Sequence, residues 1–357
     1  MTTLMAQEIA EQPHAIDRTL DELLARRGEL RRLAAGRRQL LFVARGTSDN
    51  AAVYGRYLLE IHAGRGAALA APSLATHYRV HRDLSDTVVV SLSQSGSTEE
   101  IVASQDWAAR CGARTVAITN SADSELARGA ELALVLGAGP ERAVPATKSY
   151  TAQLAAIAVI ADALGDTVGS LEADLRRVPD EVSGLIERRN GVDAAIATLT
   201  AGGHTLVSGR GLLYGTALEV ALKLEETCLE PVRGLSYADL RHGPIAVVDT
   251  KVATVLVSAS DGPLTNGLVE LSREMAALGS PTIGIGGTTA FADACQVAVA
   301  GPRLPESVAP LGLVVPAQLI VEGLARARGL DPDAPEGLSK VTQTDPSHAG
   351  SAVPGTD

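Results

Sequence analysis

TVVVSLSQSGSTEE, residues 87–100, is the stretch on which the fold turns. Its first six residues are apolar and mostly β-branched, the character of a buried strand. They run directly into Ser93-Gln94-Ser95-Gly96-Ser97-Thr98, after which helical periodicity begins. A strand that ends in small hydroxyl residues and opens a helix is the ligand position of open parallel sheets. Small side chains let an anion reach free N–H groups, hydroxyls donate further hydrogen bonds, and the helix dipole favours negative charge. Gly96 permits a backbone conformation that other residues resist. Ser97 followed by Glu100 also matches a helix capping box. That pairing accounts for one serine and one glutamate, not for four hydroxyl residues and Gln94 within six positions. The loop is therefore expected to seat a phosphate.

Outward from this loop, strand-like and helix-like runs alternate. LLFVARG (40–46) precedes the helical SDNAAVYGRYLLEIHAG, AALAA follows, and RTVAITN (114–120) and ELALVLG (131–137) come after the loop's helix. Alternation of this kind means α/β architecture, a parallel sheet flanked by helices. The pattern then recurs. TVLVSAS mirrors TVVVSLS with Thr254 − Thr87 = 167, and PTIGIGG mirrors RTVAITN with Thr282 − Thr115 = 167. HTLVSGRG mirrors LLFVARG, and QVAVAGPRLPE mirrors ELALVLGAGPE. Four elements in one order at one long spacing indicate a duplicated domain rather than a solenoid. The expected division is an N-terminal helical segment (1–40), a first domain (41–165), a helical connector (166–200), a second domain (201–330), an active-site tail (331–345) and a tail of disordered composition (346–357).

In the second copy the equivalent loop reads Ser260-Asp261-Gly262-Pro263. An aspartate repels phosphate and a proline removes a donor, so only the first copy is expected to keep an anion site. The other strand-end loop of the first copy is Arg45-Gly46-Thr47-Ser48-Asp49, with Ser48 or Asp49 as candidate N-cap. Adjacent strand-end loops converge, so Gly46, Thr47 and Ser48 are candidates for the same crevice.

The chain has 357 residues, 46% hydrophobic but only 3% aromatic, so Ala, Val and Leu supply the core. Lysine plus arginine total 31 against 42 acids, a net charge of −11, which argues against nucleic acid as a partner. Cys111, Cys228 and Cys295 are too sparse for a metal set and suit a reducing cytoplasm. No signal peptide or membrane span is evident. His77 and His81 lack an accompanying acid ligand, so no metal is expected.

Candidate acids and bases lie in the second copy. Glu219, Lys223 and Glu226 in TALEVALKLEETCLE share one helix face. That helix follows the copy's first strand, so its N-terminal end is expected at the crevice. His242 lies in Asp239-Leu240-Arg241-His242-Gly243-Pro244, read as a turn before a strand IAVV. Gly209-Arg210-Gly211 with Gly215 is a weak dinucleotide signal without its acidic partner.

RGTSDN, SLSQSGST, PATKSY, ALEVALKLEE, DLRHGP and LSKVT, in this order, resemble the sugar isomerase (SIS) family. The resemblance runs from Glu8 to Val341 and is nearest to the isomerase half of glucosamine-6-phosphate synthase and to stand-alone SIS-type glucosamine-6-phosphate deaminases. It implies two tandem flavodoxin-like SIS domains and no cofactor. It gives Glu226 the role of base and Lys223 that of charge partner. It makes His242 the ring-opening residue, supplied across a homodimer with shared active sites. Lys340, preceded by Ser339, becomes the lysine that reaches the crevice and that in the synthase forms a Schiff base. Val144 and Ala146-Thr147-Lys148 match a loop that contacts the sugar. Three positions depart from the family pattern: Ala146 for serine, Asp239 for glutamate and Ser339 for alanine. A glutaminase half is not expected, since Met1-Thr2 offers no nucleophilic cysteine. The implied ligand is a phosphorylated amino sugar, and the implied reaction is glucosamine 6-phosphate deamination to fructose 6-phosphate. Ammonia- or partner-dependent synthesis, ketosamine-6-phosphate deglycation and non-catalytic sensing are the alternatives.

Overall fold

The computed structural model describes residues 2–165 and 170–344; the tail at 346–357, expected to be disordered from its composition, lies outside them. Helices α1 (Leu4–Ala10), α2 (Gln12–Ala25) and α3 (Arg27–Leu33) lead into the first domain. There β1 (Gln39–Val43), α4 (Gly46–Ala63), β2 (Gly66–Leu69), α5 (Ser73–Thr76) and β3 (Thr87–Leu92) come first. They are followed by α6 (Glu99–Arg110), β4 (Arg114–Thr119), α7 (Glu125–Gly129), β5 (Leu132–Val135) and α8 (Lys148–Leu164). Helices α9 (Glu172–Leu175), α10 (Val178–Arg188) and α11 (Val192–Ala201) connect to the second domain. Its elements are β6 (His204–Gly209), α12 (Tyr214–Cys228), β7 (Arg233–Ser236), α13 (Tyr237–Arg241), β8 (Val252–Ser258) and α14 (Thr265–Ala277). Strand β9 (Thr282–Gly286), α15 (Thr289–Ala294), β10 (Val297–Val299) and α16 (Pro310–Ala327) complete it.

The duplication is visible in the topology. The first sheet has the order β2-β1-β3-β4-β5 and the second β7-β6-β8-β9-β10, the same arrangement twice, with every pairing parallel. Gln39 faces Thr87 in one sheet and Leu206 faces Thr254 in the other, both partners displaced by 167. The next pairing slips by two residues, since Thr115 faces Val89 whereas Thr282 faces Thr254. A two-residue slip leaves each side chain on its original face.

Helices cover both faces, which is why β3 is continuously apolar. Val88, Val90 and Leu92 point into the main core, and Val89 packs on the other side with Ile101, Ala108 and Leu126. The main core runs through both copies. Its centre is α8, all 17 residues of which are buried. Helix α16 is long and apolar enough to cross a membrane, but 89% of it is buried inside the protein, where it packs on α10, α11 and α12. The N-terminal helices belong to this same core, with Met5, Ile9, Ile16, Leu20 and Leu23 fully buried. Burying each such side chain stabilises the fold by roughly 1.5–3 kcal/mol.

One local expectation is corrected. IAVV is not a strand: Pro244–Val247 forms a 3-10 turn, with proline at its start removing a ladder donor. The strand of this region is β7, whose short RGLS sequence carries no alternation signal. The glycines of the dinucleotide-like pattern serve packing instead. A Cβ on Gly215 would lie 2.5 Å from the Asn50 carbonyl oxygen, so glycine here lets α12 approach α4.

Candidate active site

The loop after β3 turns on Gly96, whose φ is +65°. Its N–H donates to the Ser93 carbonyl oxygen (3.2 Å) and to Ser93 Oγ (3.1 Å), and the Ser97 N–H donates to Ser95 Oγ (3.2 Å). Thr98 is the N-cap of α6 and makes no side-chain cap bond. The capping box that Ser97 and Glu100 match in sequence does not form. Glu100 instead accepts Nε and Nη2 of Arg45 at 2.9 and 3.0 Å and the Thr344 hydroxyl at 2.9 Å. A guanidinium offers two charge-assisted bonds, stronger than the single N–H of a capping box.

A cavity of about 110 Å³ opens on this loop, lined by Ser48, Ser93, Gln94, Ser95, Thr98 and Lys340, together with Arg45. Six expected site residues thus meet in one place. Others do not. Gly46 opens α4 beside the cavity. Thr47 turns away, its hydroxyl donating to Glu219 Oε1 at 3.1 Å. Neither Ser48 nor Asp49 caps α4, because the helix starts earlier and Arg45 is its N-cap. Ser48 Oγ accepts from Gln153 Nε2 at 2.9 Å. The Val144 N–H donates to the Asp333 carbonyl oxygen at 2.8 Å, a backbone tie outside the lining. Ser339 donates to the Val341 carbonyl oxygen at 3.1 Å and is exposed. Lys148 points elsewhere, to Glu11 and the Pro140 carbonyl oxygen.

The tail is anchored at both ends. Asp333 accepts the N–H groups of Leu4 and Met5 at the start of α1 (2.9 and 2.8 Å). Gln343 bridges the Glu99 N–H (3.0 Å) and the Ser97 carbonyl oxygen (3.2 Å) at the start of α6. Between these anchors Lys340 Nζ donates to Glu141 Oε2 (2.9 Å) and to the Ala143 carbonyl oxygen (2.7 Å). Glu141 is completely buried. Burial pushes its carboxyl up, but Lys340 and the N–H and hydroxyl of Ser149 outweigh that and hold it below the ordinary value. Sequence reasoning passed over Glu141; its signal was the Pro-Glu step that recurs at Glu306 in the second copy.

The candidate acid–base set lies on the flank of α12, not at its N-terminal end. Helices α4 and α12 pack antiparallel: Gly215 meets Asn50 and Tyr54, while Glu219, one turn on, meets Thr47 and Asn50. This crossing carries Lys223 and Glu226 past the start of α4, towards the strand-end edge of the first sheet. Lys223 is fully buried; its Nζ bonds to Glu226 and lies 3.6 Å from Glu219. Burial opposes its charge, but Glu219 and Glu226, with Glu141 adding, raise its pKa overall. Glu141 therefore lies in the field of Lys223 while bonded to Lys340. Glu219 is pushed up to about 7 by burial, against the pull of Lys223, Asn50 and Thr47. Glu226 keeps 26% side-chain exposure, the one member of the trio open to a substrate. His242 is not brought to this cluster within one chain. It sits exposed after α13.

Fold and site together define a duplicated parallel α/β protein with a hydroxyl-lined cavity at a strand end and an ion-paired helix flank. The SIS domain model matches residues 34–163. A candidate phosphosugar isomerase structure from Silicibacter pomeroyi is 30% identical, covers 93% of this chain and 100% of its own, and superposes with a TM-score of 0.85. The C-terminal domain of glucosamine-fructose-6-phosphate aminotransferase from Francisella tularensis is 27% identical with a TM-score of 0.85, covering 94% and 99%. The glutamine–fructose-6-phosphate aminotransferase of Thermococcus kodakarensis is 34% identical over 350 residues, 94% of this chain. The chain spans 57% of the length of that relative. The chain belongs to the SIS-domain family and is a homologue of the isomerase half of these aminotransferases.

Proposed function

We propose that the chain is an amino-sugar phosphate deaminase and isomerase, converting glucosamine 6-phosphate and water to fructose 6-phosphate and ammonia. The observation that carries this is the placement of Lys340 on the hydroxyl-lined cavity, tied through Glu141 to the field of Lys223 and Glu226. The phosphate would sit against Ser93, Gln94, Ser95 and Thr98. His242 would take the C1 hydroxyl proton and return one to the ring oxygen, opening the sugar. Glu226 would then remove the C2 proton and deliver it to C1, while the C1 oxygen takes up the proton that the C2 ammonium group gives up. That leaves an iminium at C2, which adds water and releases ammonia, giving the ketose. Lys223, held charged by its two carboxylates, would stabilise the developing negative charge on the C1 oxygen.

The exposure of His242, on a face that also exposes Val247, supports a homodimer in which a second copy supplies this histidine. A cytoplasmic setting belongs to the same reading and is supported by three unpaired cysteines. Ammonia-dependent synthesis is the same chemistry reversed.

The test is ammonia release from glucosamine 6-phosphate by the wild type and by Glu226→Gln, with sugar-phosphate binding measured alongside. The wild type is expected to release ammonia, and the variant to lose at least about 100-fold in turnover while still binding. Binding without ammonia from the wild type would sink the deaminase reading. Fructose 6-phosphate with ammonia, and then a ketosamine-phosphate panel, would follow; silence in all of them would leave a sensor.

A further inference from the structure

We propose that Arg45 is a phosphate ligand of this site, a guanidinium set opposite the hydroxyl loop. The proposal rests on reading the cavity as the sugar-phosphate seat. Arg45 links β1 to α4 in extended backbone, φ −142° and ψ 155°, and its side chain lines the cavity. Of the residues lining that cavity, only Arg45 and Lys340 are charged, and both are cations. Their partner carboxylates do not line it. Glu100 backs Arg45 with 6% side-chain exposure, and Glu141 backs Lys340 with none. Each cation is thus held by a buried acid and turned to a space that contains no acid.

The donor count points the same way. A guanidinium carries five N–H donors. Glu100 takes one from Nε and one from Nη2. The Nη1 edge of Arg45 has no protein partner among the described residues, although 44% of the side chain remains exposed. A phosphate on the loop would meet hydroxyls on one side and this free edge on the other, the fork geometry that guanidinium offers to phosphate oxygens. Asp49, one turn into α4, also lies in the field of Arg45. It lines no part of the cavity.

The test compares the full-length wild type with Arg45→Gln and Arg45→Lys by calorimetric titration of inorganic phosphate, glucosamine 6-phosphate and unphosphorylated glucosamine. Arg45→Gln is expected to weaken both phosphate compounds by about 10- to 100-fold and to leave glucosamine within about twofold. Arg45→Lys, which keeps the charge but not the fork, is expected to fall between. Unchanged phosphate affinity in Arg45→Gln would overturn the proposal. So would an equal loss for glucosamine, the mark of a merely structural residue. Arg45-dependent binding without ammonia release would retire the deaminase reading and leave this one standing. Failure of the wild type to bind either phosphate compound would remove both.

Discussion

Replacing Glu219 by glutamine is expected to flatten the pH dependence of stability. Glu219 lies fully buried between α4 and α12, with Thr47, Asn50 and Lys223 around it. Lys223 bonds to Glu226 and stands 3.6 Å from Glu219, so its charge is shared and burial wins at Glu219. The carboxyl rises from 4.5 to about 7. The folded state therefore holds a proton that the unfolded chain has already lost. This contribution to stability is complete below about pH 4.5 and disappears as the pH rises through about 7. Integrated from about pH 5 to about pH 8, the loss is about 2–3 kcal/mol. Glutamine keeps the shape, accepts from Asn50, and lets the Thr47 hydroxyl turn to accept from its amide. Urea unfolding followed by circular dichroism at steps across that window would measure it. Other titrating groups cancel in the difference between the two proteins. The variant should gain on the wild type by about 2–3 kcal/mol across the window. Parallel curves would refute the reasoning and place an ionised Glu219 in the folded protein throughout.

Two further expectations follow from the loop and the tail. In Gly96→Ala the new Cβ would lie 2.2 Å from Ser124 Oγ at a φ of +65°, costing about 1–3 kcal/mol locally; thermal unfolding and sugar-phosphate titration should both register it, and an unchanged titration would mean the loop does not shape the ligand site. Combining Gln343→Ala with Thr344→Val removes the three side-chain hydrogen bonds that these two residues make to the start of α6. Tryptic cleavage after Lys340 should then accelerate by roughly tenfold, and unchanged cleavage would show that the Lys340 and Asp333 contacts hold the tail without them.

Much of the architecture was legible because strands buried on both faces announce themselves locally. TVVVSL and TVLVSAS are continuous apolar runs, and their common spacing exposed the duplication before any contact was known. The hydroxyl loop was legible for a similar reason: its residue types sit side by side. Expectations failed where a local signal competed with a partner distant in sequence. Glu100 fits a capping box with Ser97, yet Arg45, 55 positions away, offers it two charged donors. Ser48 fits an N-cap, yet Gln153 of α8 claims its hydroxyl. IAVV has strand composition, yet with Pro244 removing a ladder donor the segment folds as a 3-10 turn.

The order of elements, the doubled domain, the hydroxyl-rich loop and the stripe Glu219-Lys223-Glu226 are properties of the sequence by itself, since each depends on residues within one or two turns of chain. Which acids hold which cations was decided only in the tertiary structure. Glu100 meets Arg45 across 55 residues, and Glu141 meets Lys340 across 199. The antiparallel packing of α12 on α4 chose the flank of the helix over its tip. Such pairings are set by how two helices and a tail cross, where one glycine contact or one buried carboxylate outweighs any local preference.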